Sequence, residues 1–398
     1  MDKNTTNHDH PLHRMINRRE TRSVKWDGME SLFGVKEAIP LWVADMDFTA
    51  PEPVLRAVRD VADHGILGYA TPNASFQQSI ADWMQKRHGW NVSPEWLVYT
   101  PGIVPALNMA VEAFTEPGDH IIIQPPVYGP FHKLASNHGR ELVLNPLLHD
   151  ELHYKMDLAH LEQVAKHEKA KMLVLCSPHN PIGRVWTKEE LKSVMEIAAR
   201  HDLIVISDEI HADLVFKEGL HTPYAMISEE AKMHSIICTA ASKTFNIAGL
   251  HTSNVVIANE ELREKFKKII EKNALSSMNI FGIAATEAAY REGEPWLSET
   301  LEYIHENMVY VTEFIHTHLP ELRVKLPDST YLLWIDFRNL QIPHKELYQF
   351  LLHEAGLVFS SGTDFGEHGE GFMRMNVACS RRLLEEAMNK LKIALQSR

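Results

Sequence analysis

The chain has 398 residues, 44% hydrophobic and 23% charged, with 19 Gly and 20 Pro, a globular composition that excludes disorder, collagen and coiled coil. At this length a single core stops growing, so two domains are expected. The 40 Lys and Arg against 53 Asp and Glu leave a formal net charge of −13, which repels phosphate backbones and argues against a nucleic-acid partner.

In chain order, residues 1–20 are polar and His-bearing and read as a loose arm. Asn7-His8-Asp9-His10 and His13 have metal-ligand chemistry but no second ligand cluster, so they read as solvated and no metal is expected. The arm lacks the apolar centre of a signal peptide. No later stretch approaches the roughly 18–20 apolar residues of a membrane span, so a cytoplasmic protein without a membrane partner is expected. Pro51 to Ala110, with Pro-rich turns, leads into a large domain. From about residue 95, short apolar runs alternate with helical stretches. Ile121 to Gln124, Met172 to Cys176, Leu203 to Ser207 and Ser235 to Thr239 are continuous in apolar character, as buried strands are. Lys188 to Arg200 reads as a helix opened by a capping box, Thr187 with Glu190. The strand spacing suits β-α-β crossovers and a parallel sheet. Asn254 to Ile257 follows the last of these strands by only about 14 residues, tight for a helical crossover, so an antiparallel strand is expected there. The basic run Arg263 to Lys272, interrupted by Glu264 and Glu271, reads as a solvated helix face. After Tyr290 come a long helix near Trp296 to His318, strands at Thr330 to Phe337 and Phe372 to Val377, and a closing helix from Arg382. The expected division is an N-terminal segment 1–50 joining a small α+β domain 291–398, with a large domain 51–290. Cys176, Cys238 and Cys379 are odd in number, widely spaced and set in apolar runs, and read as reduced, buried thiols.

GxGxxG after a strand, GxxxxGK[ST], HExxH and GxSxG are all absent, so dinucleotide, P-loop, zinc-protease and α/β-hydrolase readings lose their main support. Polar residues instead stand just past successive strands, where open α/β sheets bind ligands. Asn180 lies in the turn Ser177-Pro178-His179-Asn180-Pro181-Ile182-Gly183. Asp208 and Glu209 form an acidic pair at a strand end. Lys243 follows Ala240-Ala241-Ser242. Singly these read as a turn former, a helix cap and a surface charge; three at consecutive strand ends are hard to explain as accidents. The trio suits pyridoxal 5′-phosphate, which needs a lysine, a carboxylate for its ring nitrogen and a donor to its ring oxygen.

The ordered set of Asn180-Pro181-Ile182-Gly183, Asp208-Glu209, Ser242-Lys243 and Ala248-Gly249-Leu250 resembles the fold-type I pyridoxal-phosphate enzymes of the aspartate-aminotransferase superfamily. Those enzymes have a large domain with a mostly parallel, helix-flanked sheet and a smaller α+β domain. Residues 42–48, 124–128, 207–211 and 242–246 resemble, more narrowly, the MalY/PatB-type cystathionine β-lyases (C–S lyases), from about Val24 to the C-terminus. The resemblance implies Lys243 as Schiff-base lysine and proton shuttle, Asp208 as partner of the ring nitrogen, Asn180 of the ring oxygen, and Tyr128 as the stacking aromatic. It implies phosphate contacts from the turn at Gly102-Ile103-Val104, from Ser242, and from Tyr69 of a neighbouring subunit. Arg374, with Asn180 and Tyr69, would hold the substrate, Arg374 gripping its α-carboxylate. His211 stands where many aminotransferases have a tyrosine near the ring oxygen, and His251 where many have a phosphate-binding arginine; both departures agree with the lyase branch. The implied activity is β-elimination of cysteine S-conjugates, L-cystathionine first among them, by a homodimer acting on a small amino acid. An aminotransferase, or a non-catalytic regulator on the same fold, are the alternatives.

Overall fold

The apolar runs in the middle of the chain are strands of one sheet. In the computed structural model, which describes residues 11–217 and 219–398, these are β1 (Leu97–Thr100), β2 (His120–Ile123), β3 (Glu141–Leu144), β4 (Ala170–Cys176), β5 (Ile204–Asp208), β6 (Ser235–Thr239) and β7 (Ser253–Val256). Their order is β1-β7-β6-β5-β4-β2-β3. The five strands from β6 to β3 are parallel, and β7 runs antiparallel to both β6 and β1, as its short link to β6 predicts. Two reversals bring β1 back into line with the parallel set, so its C-terminal end lies on the same edge of the sheet as theirs.

The four runs expected as strands are β2, β4, β5 and β6, within two residues at each end. All of β4 except Lys171 is buried, which explains its unbroken apolar character: both faces are covered. Ile121, Val174, Ile206 and Ile236 pack with Leu107, Ala110 and Val111 of the helix Ile103–Phe114 in one core. The two flanking strands β1 and β3 were not expected; β3 is exposed or half-buried at all four positions, and its apolar run is only the three residues Leu142-Val143-Leu144. The helix Lys188–Arg200 carries the expected capping box, with Thr187 and Glu190 exchanging side-chain-to-backbone hydrogen bonds. The basic run lies on the helix Glu260–Lys272, but Arg263 is buried and donates to the Ile257 and Ala258 carbonyls. That position is therefore structural and not part of a solvated face.

The chain divides into two units, one of residues 50–298 with 328–330, the other of residues up to 49 with 299–327 and 331–398. It passes from the first to the second inside the helix Glu294–His318. The second unit has a four-stranded antiparallel sheet ordered Arg323–Val324, Leu332–Asp336, Phe372–Asn376, Ser360–Ser361. Its closing helix Arg381–Gln396 buries Leu384, Ala387 and Leu391.

Residues 11–20 correct the expectation of a loose arm. Leu12 is buried, and the Arg18 guanidinium bridges Asp45 and Asp47, at 2.7 Å to each. Lys25, wholly buried, completes the cluster at 2.7 Å from Asp47. Nearly buried Asp47 needs paired cations, and the arm supplies one. Asn7 to His10 lie outside the described residues; His13 packs edge-on against Tyr303. Among the described residues no helix is long and apolar enough to cross a membrane.

Candidate active site

Cys176, Asp208 and Cys238 stand in register on three adjacent parallel strands. The turns leaving β4, β5 and β6 therefore emerge side by side, and they carry Asn180, Asp208 and Lys243. Backbone bonds lace them together: Ser177 N–H to Asp208 O and Glu209 N–H to Cys238 O, each 2.9 Å. Asn180 is buried, with its backbone N–H on Cys176 Sγ at 3.4 Å. Lys243 is half-buried in the four-residue helix Ala241–Thr244. The neighbouring turn after β2 holds Tyr128, half-buried against the core and edge-on to Phe131. It is tied to the Asn180 turn by His179, whose Nε2 donates to Pro126 O at 2.8 Å. Burial pushes the His179 ring down to about 4, so near neutral pH it is an uncharged donor.

The two adjacent acids have different lives. Asp208 is 4% exposed, accepts one hydrogen bond, from Ile210 N–H at 3.1 Å, and among the described residues forms no ion pair. Burial raises its carboxyl to about 7; Glu209's charge adds to the rise, and Lys243's positive charge opposes it. Glu209 is equally buried but fully engaged, accepting from Ser207 Oγ (2.9 Å), His221 Nε2 (3.1 Å) and Tyr224 N–H (2.8 Å). The acidic pair is thus one available carboxyl and one structural brace. His211 is buried close by in sequence.

At the end of β1, Gly102 has φ +129°, a conformation that favours glycine, and the helix Ile103–Phe114 begins directly after it. Thr100 Oγ1 donates to Gly102 O at 3.1 Å and Ser253 Oγ to Thr100 O at 3.2 Å, which fixes the turn. The first N–H groups of that helix, at Ile103 and Val104, suit an anion. Ser242, half-buried, precedes Lys243.

Two predicted residues are not among these strand-end turns. Tyr69 is 100% exposed, so it does not belong to the buried strand-end set of its own chain. Arg374 lies in the other unit, buried in the strand Phe372–Asn376 between Trp334 and Ser360 in register. Its Nη2 donates to Trp42 O (2.9 Å) and Ser360 Oγ (3.0 Å), and its guanidinium lies over the Phe365 ring at 4.8 Å. His251 is exposed, with φ +47°.

Sequence reasoning passed over Asp213. It is buried, yet its carboxylate accepts from His88 Nε2 (2.9 Å), Thr244 Oγ1 (2.8 Å) and Trp83 Nε1 (3.1 Å). Burial works to raise its carboxyl, but the His88 and Thr244 bonds with the nearby positive charge hold it below the ordinary value. His88 is 125 residues away in the chain, so no local pattern pairs them.

A family model described as aminotransferase class I and II matches residues 36–391. The chain belongs to this family. Cystathionine β-lyase PatB of Bacillus subtilis (strain 168) is 44% identical over 375 residues, 94% of this chain and 97% of that protein. Cystalysin from Treponema denticola, solved with pyridoxal 5′-phosphate, matches with a TM-score of 0.94 at 38% identity, covering 97% of this chain and 98% of that one. A pyridoxal-phosphate-bound C–S lyase from Staphylococcus hominis, complexed with L-cycloserine, matches with a TM-score of 0.89 at 33% identity over 97% and 98% of the two chains. The fold is that of the fold-type I enzymes of this aminotransferase family, whose cofactor is pyridoxal 5′-phosphate.

The residues present fit that cofactor. A buried carboxyl with a single backbone donor gains most from a cationic N–H, which a protonated pyridine ring supplies. Lys243 stands close enough to act electrostatically on that carboxyl. The helix start after Gly102, on the same sheet edge, suits the phosphate.

Proposed function

We propose that the protein is a pyridoxal-phosphate-dependent C–S lyase that β-eliminates cysteine S-conjugates, converting L-cystathionine to homocysteine, pyruvate and ammonia. The observation that carries this reading is buried Asp208 within electrostatic reach of Lys243 at adjacent strand ends, in a chain 44% identical to a cystathionine β-lyase. When bound, pyridoxal phosphate supplies an electron sink for charge developing at the substrate Cα.

The chain's own residues do the rest. Asp208 would hold a proton at the ring nitrogen, the charge interaction that makes the bound group an effective electron sink. Asn180 and His211 would hold the ring oxygen, and Tyr128 would stack on the ring. The N–H groups at Ile103 and Val104, with Ser242, hold the phosphate. Arg374 takes the substrate α-carboxylate, the task a rigid fork of donors suits. The Lys243 amine removes the α-proton; the Cβ–S bond then breaks, its electron pair leaving with sulfur, which takes up a proton. The released enamine hydrolyses to pyruvate and ammonia. Homodimers with Tyr69 serving the partner's phosphate, in a cytoplasmic setting suited to three buried free thiols, complete the reading.

The test is purified holoenzyme with cystathionine and no added 2-oxo acid. Stoichiometric pyruvate and free thiol are expected; turnover only when a 2-oxo acid is supplied would make it an aminotransferase, and no turnover a regulator. Borohydride reduction followed by peptide mapping should place the cofactor on Lys243, and any other lysine would overturn that assignment.

A further inference from the structure

Lys243 sits on a helix that has little means of holding itself. Ala241–Thr244 is a single turn with no side-chain cap at Ala240, and one turn is not stable alone. Its placement depends on what grips the residues after the lysine. Thr244, wholly buried, donates through Oγ1 to Asp213 Oδ2 at 2.8 Å. Phe245, also buried, packs edge-on against Trp83 and Tyr290. Asp213 is itself held from the far side. His88 Nε2 contacts Oδ1 at 2.9 Å, Trp83 Nε1 spans both oxygens at 3.1 and 3.2 Å, and Arg87 donates to its backbone carbonyl at 3.0 Å. His88, Trp83 and Arg87 all belong to the helix Ala74–His88.

An apolar contact could hold this turn by shape. The chain instead buries a charged carboxylate there, which costs desolvation, and links the Thr244 hydroxyl through it to His88 and Trp83. A directional bond limits rotation of the turn in a way that packing does not. Rotation matters at this point because a base must come within about 2.6–3.2 Å of the atom whose proton it removes.

We propose that Asp213, clamped by His88 and Trp83, is a positioning residue that sets Lys243 for proton transfer through the Thr244 hydroxyl. The proposal rests on the reading of Lys243 as the base.

Thr244→Val removes the hydroxyl at nearly constant volume, and Thr244→Ser keeps it. In the holoenzyme with cystathionine, Thr244→Val should lower kcat roughly 10–100-fold, leave KM within about two-fold, and raise the isotope effect from deuterium at Cα, since proton removal becomes slower. Thr244→Ser should restore all three. Wild-type kcat and isotope effect in Thr244→Val would overturn the proposal, as would a loss that Thr244→Ser does not rescue. If the wild-type enzyme eliminates no S-conjugate, the functional reading is what fails. The visible spectrum of the lysine-bound cofactor then decides positioning separately: altered in Thr244→Val and restored in Thr244→Ser is expected, and identical spectra would overturn it.

Discussion

His179 donates through Nε2 to the Pro126 carbonyl at 2.8 Å, so one buried ring stitches the turn carrying Tyr128 to the turn carrying Asn180. Burial depresses its folded pKa from 6.5 to about 4. Above pH 6.5 the ring is neutral folded or unfolded. As pH falls from 6.5 toward 4, the unfolded chain binds the proton first and stability is lost, by about 2 kcal/mol at pH 5. His179→Gln keeps a donor but cannot titrate, so its melting temperature should fall less between pH 7 and 5 than that of the wild type. Parallel declines in the two proteins would show that His179 is not a source of the acid sensitivity.

Asp208 predicts the opposite sign. Its folded carboxyl, raised to about 7 against 3.8, loses stability as pH climbs through that window, and the cost is complete above it. In cofactor-free protein Asp208→Asn should therefore melt higher than wild type at pH 8, with a smaller gain at pH 5. In the holoenzyme the same change should lower kcat on the order of 100-fold or more, a larger effect than on cofactor retention. Near-normal kcat would remove Asp208 from its proposed role.

Arg374→Lys keeps the charge but discards the fork, the contact with the Phe365 ring and the geometry of the bonds to Trp42 O and Ser360 Oγ. A lost charge-assisted bond of about 1.5–3 kcal/mol corresponds to kcat/KM falling roughly 10–100-fold. The fall should lie chiefly in KM, with the cofactor spectrum unchanged. Unaltered kcat/KM would mean the α-carboxylate binds elsewhere.

Tyr69, fully exposed in the single chain, has work to do only if another chain covers it. Tyr69→Phe should weaken cofactor retention by removing a hydroxyl donor to a charged phosphate, about 1.5–3 kcal/mol. Lys243→Ala protein mixed with a Tyr69 variant should recover activity above the sum of the two once subunits exchange. No recovery despite verified exchange, or an active monomer, would refute a shared site.

The strand ends were readable because their signals are local. Continuous Ile, Val and Leu mark strands covered on both faces, and Pro, Gly and small residues mark the turns that follow. The partly exposed edge strand β3 carries only a short version of that mark, Leu142-Val143-Leu144, and it was passed over. Arg18 gave no sign that it would be anchored, because its acids lie 27 and 29 residues on, and a polar segment reads alike whether its charges meet water or carboxylates.

The chain order alone puts Asn180, Asp208 and Lys243 at neighbouring strand ends, since a parallel sheet with helical crossovers turns sequence spacing into adjacency. Which of two adjacent acids stays available is a different matter. Asp208 and Glu209 are alike in charge and nearly alike in burial; His221 and Tyr224 claim the second and leave the first. Only the folded chain could decide that, and the same holds for His88 meeting Asp213. Burial and hydrogen-bond supply are set by neighbours brought from elsewhere in the chain, and a local pattern does not encode them.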